Sequence, residues 1–117
     1  MKTVIYWDFM EFVKVCKMSD IKVGTMNKFE INGKEIVVSN VAGKYFAINN
    51  KCTHMNGDLS KGKLDGNIVT CPKHGSKFDV TTGKAISGPK IPLLKIKIKD
   101  EEKYELKIQG EDILIKL

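Results

Sequence analysis

The chain of 117 residues contains no arginine: all twenty of its cations are lysine. Recognition of phosphates and guanines leans on the planar, bidentate guanidinium, so this absence counts against a nucleic-acid partner. Apolar runs near eighteen residues are also missing, so no membrane-spanning helix is expected. Asp8 and Glu11 interrupt the apolar patch around Val4–Trp7 and no small-residue cleavage site follows, so no targeting segment is expected either. Cysteine is scarce, at three. A framework of disulfides is therefore excluded, and a reducing cytoplasm is the expected compartment. Histidine is scarcer still. The two histidines, His54 and His74, each lie within three residues of a cysteine, Cys52 and Cys71.

What is present is organised around those four residues. They read C-x-H, a spacer of sixteen residues, then C-x-x-H. Two thiolates and two imidazoles in two short, similar loops offer four metal ligands. A 2Fe–2S cluster of mixed ligation wants this set, with both cysteines on one iron and both histidines on the other. A tetrahedral zinc site also takes two sulfurs and two nitrogens, although zinc-finger pairs keep like ligands together. A zinc-binding interaction module therefore stands as an alternative. A Cys52–Cys71 disulfide with bystander histidines is a further one.

The sequences Cys52-Thr-His54 and Cys71-Pro-Lys-His74-Gly-Ser-Lys-Phe78-Asp79 resemble the Rieske iron–sulfur family, at that family's spacing. The motif resemblance covers about residues 51–92. It implies an all-β fold: an antiparallel β-sandwich or barrel base with a small cluster-binding subdomain at about 49–80, in a single domain spanning 1–117. It implies a Rieske-type 2Fe–2S cluster held by Cys52, His54, Cys71 and His74. Ser76 stands where high-potential respiratory members have a serine hydroxyl donor to a cluster sulfur, and Pro89 where the family's proline loop covers the cluster. Phe78 stands where high-potential members have a tyrosine hydroxyl, and their extra loop cysteines are missing. A potential in the lower half of the Rieske range is the expectation. Lys73 departs from the bulky apolar residue that many ferredoxin-type members carry.

The resemblance further implies a soluble electron carrier between a reductase and a terminal oxygenase or other redox protein. The small Rieske-like subunit of an assimilatory nitrite reductase is the alternative. Neither loop contains a nucleophile–base pair, so electron transfer without bond chemistry of its own is expected.

The rest of the chain reads as short strands. Phe12–Met18 alternates. Thr25–Ile31 and Glu35–Val41 flank Asn32-Gly33, a hairpin signal. Tyr45–Ile48 leads into the first loop, which begins near Asn49-Asn50. Gly57 there is expected to supply backbone freedom. Gly62–Gly66 reads as a turn, Asn67–Thr70 and Lys77–Val80 as brief strands. Leu93–Lys99, Lys103–Ile108 and Ile113–Leu117 read as three antiparallel strands with one wet face. Asp100, Glu101, Glu102, Glu105, Glu111 and Asp112 are expected to compensate the lysines of that face. Cys16 is expected to face the core. No function attaches to residues 1–11. Around the motif, Lys51, Lys61, Lys63, Lys73 and Lys77 outnumber Asp58 and Asp65, which suits an encounter with an acidic partner.

Overall fold

The computed structural model describes residues 12–90 and 97–117. Ten strands make two antiparallel sheets, and no α-helix occurs among the described residues. β1 (Phe12–Lys17), β2 (Met26–Ile31), β3 (Lys34–Val41), β4 (Lys44–Asn49), β9 (Lys103–Gln109) and β10 (Asp112–Lys116) form a six-stranded, nearly closed barrel-like sheet. Its order is β1-β10-β9-β4-β3-β2. β5 (Lys63–Asp65), β6 (Ile68–Thr70), β7 (Lys77–Asp79) and β8 (Ala85–Ser87) form the small sheet, in sequence order.

The β2–β3 hairpin follows from its turn chemistry. Asn32 and Gly33 both take positive φ, 50° and 80°, as a type I′ turn requires. β3 then explains how the two halves join. Its run Ile36-Val-Val38 is apolar without alternation because both faces are covered. Ile36 and Val38 enter the barrel core with Ala47, Tyr104, Ile113, Ile115 and Cys16. Val37, on the opposite face, joins Ile48 in a second core with Cys52, Leu59, Val69, Cys71, Phe78 and Val80. The β3–β4 wall is thus shared. One face closes the barrel and the other is the floor on which both motif cysteines sit.

Asn50 fastens the first loop to that floor. It is fully buried, and its amide donates to Asp58 Oδ1 (2.8 Å) and Glu35 Oε1 (3.3 Å) while accepting from the Ser60 N–H (2.9 Å). Lys28 on β2 pairs with Asp58 at 3.1 Å. These bonds hold the Asp58 carboxyl far below the usual carboxylate range, although burial alone opposes ionisation.

Three sequence expectations require correction. Gly62–Gly66 is not simply a turn: Lys63–Asp65 is strand β5, and only Gly66 and Asn67 turn. β8 was not foreseen. Of the expected strand Leu93–Lys99, the part at 93–96 lies outside the described residues, and Lys97–Lys99 belongs to neither sheet. The backbone there serves the loops instead. Lys99 C=O accepts from the Thr53 hydroxyl (2.6 Å), and the Glu101 N–H donates to Gly83 C=O (2.6 Å). The segment 1–11 also lies outside the described residues.

Candidate metal centre

The two motif loops close in the same way. In the first, the Cys52 N–H donates to Gly57 C=O (2.7 Å) and the Asn56 N–H to Cys52 C=O (3.0 Å). In the second, the Cys71 N–H donates to Ser76 C=O (2.7 Å) and the Gly75 N–H to Cys71 C=O (3.0 Å). Both are therefore tight turns of equal span on a cysteine. The fourth residue after each cysteine must take positive φ: Asn56 at 55° and Gly75 at 82°. Asparagine tolerates that region better than most side chains, and glycine adopts it freely.

The folding brings the four motif side chains together as two like pairs. Cys52 and Cys71 are both buried free thiols, close enough to interact. Burial pushes the Cys52 thiol up to about 11, and the neighbouring Cys71 adds to this, so a compensating cation would be needed to hold Cys52 as a thiolate. The His54 N–H lies 3.4 Å from Cys52 Sγ and donates to it. The imidazoles of His54 and His74 meet edge to face, with centroids 5.1 Å apart and planes at 73°.

Both histidine Nδ1 atoms are buried and lack a hydrogen-bond partner, although each residue as a whole is half-buried. The Ser76 hydroxyl is likewise buried and unpartnered. Buried polar atoms without partners are uncommon, and three of them on the loops that carry two buried thiols call for an occupant. Among the described residues no three His, Cys, Asp or Glu side chains are placed to hold one metal ion. Two thiols in one pair and two imidazoles in another suit a two-iron cluster better than one tetrahedral zinc. The free thiols also leave no Cys52–Cys71 disulfide.

The loop after β8 leans on the second motif loop. Pro89 is buried, and the Lys90 N–H donates to His74 C=O (2.7 Å). Lys73 crosses the other way, its ammonium donating to Met55 C=O (3.2 Å) and so linking the two loops. Met55, beside His54, is 61% exposed on a strained backbone with φ of 61°.

Two residues act differently from their sequence reading. Gly57 does not take positive φ; what it supplies is room. A β-carbon there would stand 2.5 Å from Cys71 Sγ and 3.2 Å from Lys73 Cβ. Glu101 is not one of the solvated acids of a wet face but is buried, at 5% exposure. Its carboxylate accepts from the N–H of Thr53, the residue between Cys52 and His54 (3.0 Å). Nothing in the strand pattern distinguishes it from Glu102 beside it.

Burial pushes the Glu101 carboxyl up to about 8, from 4.5, and the Thr53 N–H only partly opposes this. Between those pH values the folded chain holds a proton that the unfolded chain has lost. Stability is therefore highest below pH 4.5 as far as this group is concerned, and falls as pH rises through about 8. At about 1.4 kcal/mol per pH unit between those values, the penalty is about 5 kcal/mol at most. Glu101→Gln keeps an acceptor for Thr53 and removes the ionisation. Its urea midpoint is expected to lose most of the decline that the parent shows from pH 6 to pH 9. Parallel declines in both proteins would show that Glu101 is not the group responsible.

A pair of buried thiols and a pair of inward-facing imidazoles, on matched loops over a β floor, define a carrier of a mixed-ligand iron–sulfur cluster. Comparison with known proteins gives the same class. The Rieske [2Fe-2S] domain matches residues 11–97, and the chain belongs to the Rieske family. It is 36% identical over 109 residues to the ferredoxin component of biphenyl 2,3-dioxygenase from Rhodococcus jostii (strain RHA1), covering 92% of this chain and 94% of that one. It is 32% identical over 108 residues to the ferredoxin component of the naphthalene 1,2-dioxygenase system of Pseudomonas putida, covering 92% and 97%. A chain in the complex of reduced oxygenase and oxidised ferredoxin in carbazole 1,9a-dioxygenase superposes with a TM-score of 0.78 at 28% identity, covering 91% of this chain and 93% of that one. The protein is a Rieske-type ferredoxin that carries electrons through a 2Fe–2S cluster. No helix among the described residues is long and apolar enough to cross a membrane.

Proposed function

We infer that this chain is the ferredoxin component of a Rieske oxygenase system, taking one electron at a time from a reductase and passing it to a terminal oxygenase. Cys52 and Cys71 would hold one iron and His54 and His74 the other, through the unpartnered Nδ1 atoms, with the Ser76 hydroxyl free to donate to the cluster and Pro89 to cover it from the loop after β8. The whole chain, 1–117, is one Rieske domain with its cluster-binding part at about 49–80, and its free thiols suit the reducing cytoplasm. The observation that carries this reading is the pair of buried, unpartnered Nδ1 atoms beside two buried thiols.

Bound there, the cluster supplies a single reversible electron, and replacing two thiolates by neutral imidazoles raises its potential. The half-buried histidine edges give that electron a short exit to a partner. Relatives that are separate ferredoxin components match over nearly their full length, which favours a carrier over a nitrite reductase subunit. The purified chain is expected to be coloured, with two irons and two sulfides, and, once reduced, to give a Rieske-type paramagnetic spectrum. In stopped flow it should reduce a Rieske terminal oxygenase. A colourless protein holding one zinc per chain would sink the assignment.

A further inference from the structure

Lys63 on β5, Thr70 on β6 and Lys77 on β7 stand directly opposite one another in register. Residues so paired present their side chains on the same face of a sheet. Lys61, at the end of the short 3₁₀ turn Leu59–Lys61, and Lys90, after Pro89, flank them. With Pro72 these residues line an open cleft of about 390 Å³. Among the described residues no carboxylate lines it. The ion pairs among the described residues, Lys14–Asp112 and Lys28–Asp58, lie elsewhere. Four lysines line this one cleft with no described carboxylate among them, so its surface is net positive and complements an anionic occupant.

The cleft is built on the second motif loop itself. Pro72 follows Cys71, Lys77 follows Ser76, and the Lys90 N–H is bonded to His74 C=O. Whatever sits there lies beside the half-exposed His74. The cleft is open rather than enclosed, so it suits a ridge on a protein surface better than a small molecule. A relative of 0.78 TM-score has been solved on its oxygenase, so the electron acceptor is the partner to which this chemistry is assigned.

We propose that this lysine cleft seats a carboxylate-bearing segment of the terminal oxygenase and thereby turns the His54–His74 edge toward the acceptor. The proposal rests on the carrier function inferred above. The cleft steers the encounter electrostatically and fixes its orientation, which governs association rate and specificity more than intrinsic affinity.

The test uses the cluster-loaded protein, an octaglutamate peptide as probe, and a carbazole-type Rieske terminal oxygenase as acceptor. K63E/K77E is compared with K22E/K44E. Lys44 opens β4 at the end remote from the ligand loops, and Lys22 lies near it, since Gly24 and Thr25 bond to Asn40 and Lys22 there. Each pair of reversals changes the charge by −4, from +6 to +2, so net charge is matched. K63E/K77E should weaken peptide binding by about tenfold or more and slow electron transfer similarly, whereas K22E/K44E should change either by less than about threefold. The peptide should compete with the oxygenase on the parent protein and have little effect on K63E/K77E. K63Q/K77Q gives the same order of effects if the reversals impair cluster loading, which the visible spectrum reports. Equal losses in the two charge-matched variants overturn the proposal in favour of diffuse charge. Oxygenase reduction at parental rate by K63E/K77E also overturns it, while leaving the carrier function intact. Slowed reduction by the reductase alone reassigns the cleft to the donor and overturns the oxygenase as occupant. If the parent reduces no oxygenase, the carrier reading fails first and this occupant with it.

Discussion

Gly57→Ala is expected to leave the barrel folded and to lose the cluster. The added methyl would stand 2.5 Å from Cys71 Sγ, 3.2 Å from Lys73 Cβ and 3.6 Å from Cys52 Cβ. Nothing nearby is free to give way. Gly57 C=O is held by the Cys52 N–H, Cys71 is fixed by two backbone bonds of its own loop, and Lys73 links the loops through Met55. Overpacking of this kind costs about 1–3 kcal/mol, and here it falls on the separation of the two thiols. The iron retained per chain is therefore expected to fall to about a tenth or less of the parent's. The barrel core of Ile36, Val38, Ala47 and Ile113 faces away from Gly57 across the β3–β4 wall, so the far-ultraviolet spectrum should change little. Asn56→Gly is the companion variant. It relieves a left-handed backbone at φ 55° and adds no atom, so it should load fully. Full loading of Gly57→Ala would show that the loops separate more easily than their hydrogen bonds suggest.

The contrast at Gly57 shows which features a sequence can disclose. Local chemistry was legible. Asn32-Gly33 announces its hairpin and the two strands that flank it, Phe12–Met18 shows its strand by alternation, and the C-x-H and C-x-x-H spacing groups the two cysteines and the two histidines. Features that depend on a contact distant along the chain were not legible. Gly57 reads as a flexible residue until Cys71 is seen against it. Glu101 reads as one of six surface acids until Thr53 is seen to fold over it. β5 and β8, of three residues each, are too short for an alternating pattern to register and, unlike β6 and β7 of the same length, do not adjoin the second motif loop. At Lys97–Lys99, side-chain alternation suggested a strand, but ladder formation depends on backbone partners, and there Lys99 C=O is taken by the Thr53 hydroxyl.

The potential is expected to respond to two positions that follow the second histidine, Ser76 and Phe78. Ser76 is fully buried with its hydroxyl unpartnered, and Phe78 is fully buried in the core that contains Cys52 and Cys71. A hydroxyl with no protein acceptor costs about 1–3 kcal/mol unless the occupant of the site accepts from it. Donation to a cluster sulfur withdraws charge and favours the reduced state. Ser76→Ala should therefore lower the midpoint potential by about 60–120 mV, the equivalent of one charge-assisted hydrogen bond for a one-electron couple. Phe78→Tyr offers a second hydroxyl from within the same core. If it reaches a cluster or cysteine sulfur, the potential rises by a comparable amount. If it finds no acceptor, the buried oxygen destabilises the protein and leaves the potential where it was. The decisive measurement is redox titration of both variants at one pH, with the paramagnetic spectrum confirming that the cluster is intact. A potential unmoved by either substitution would mean that hydroxyl donation does not tune this site. Backbone donors such as the His54 N–H to Cys52 Sγ, together with the exposure of the histidine edges, would then have to set its value.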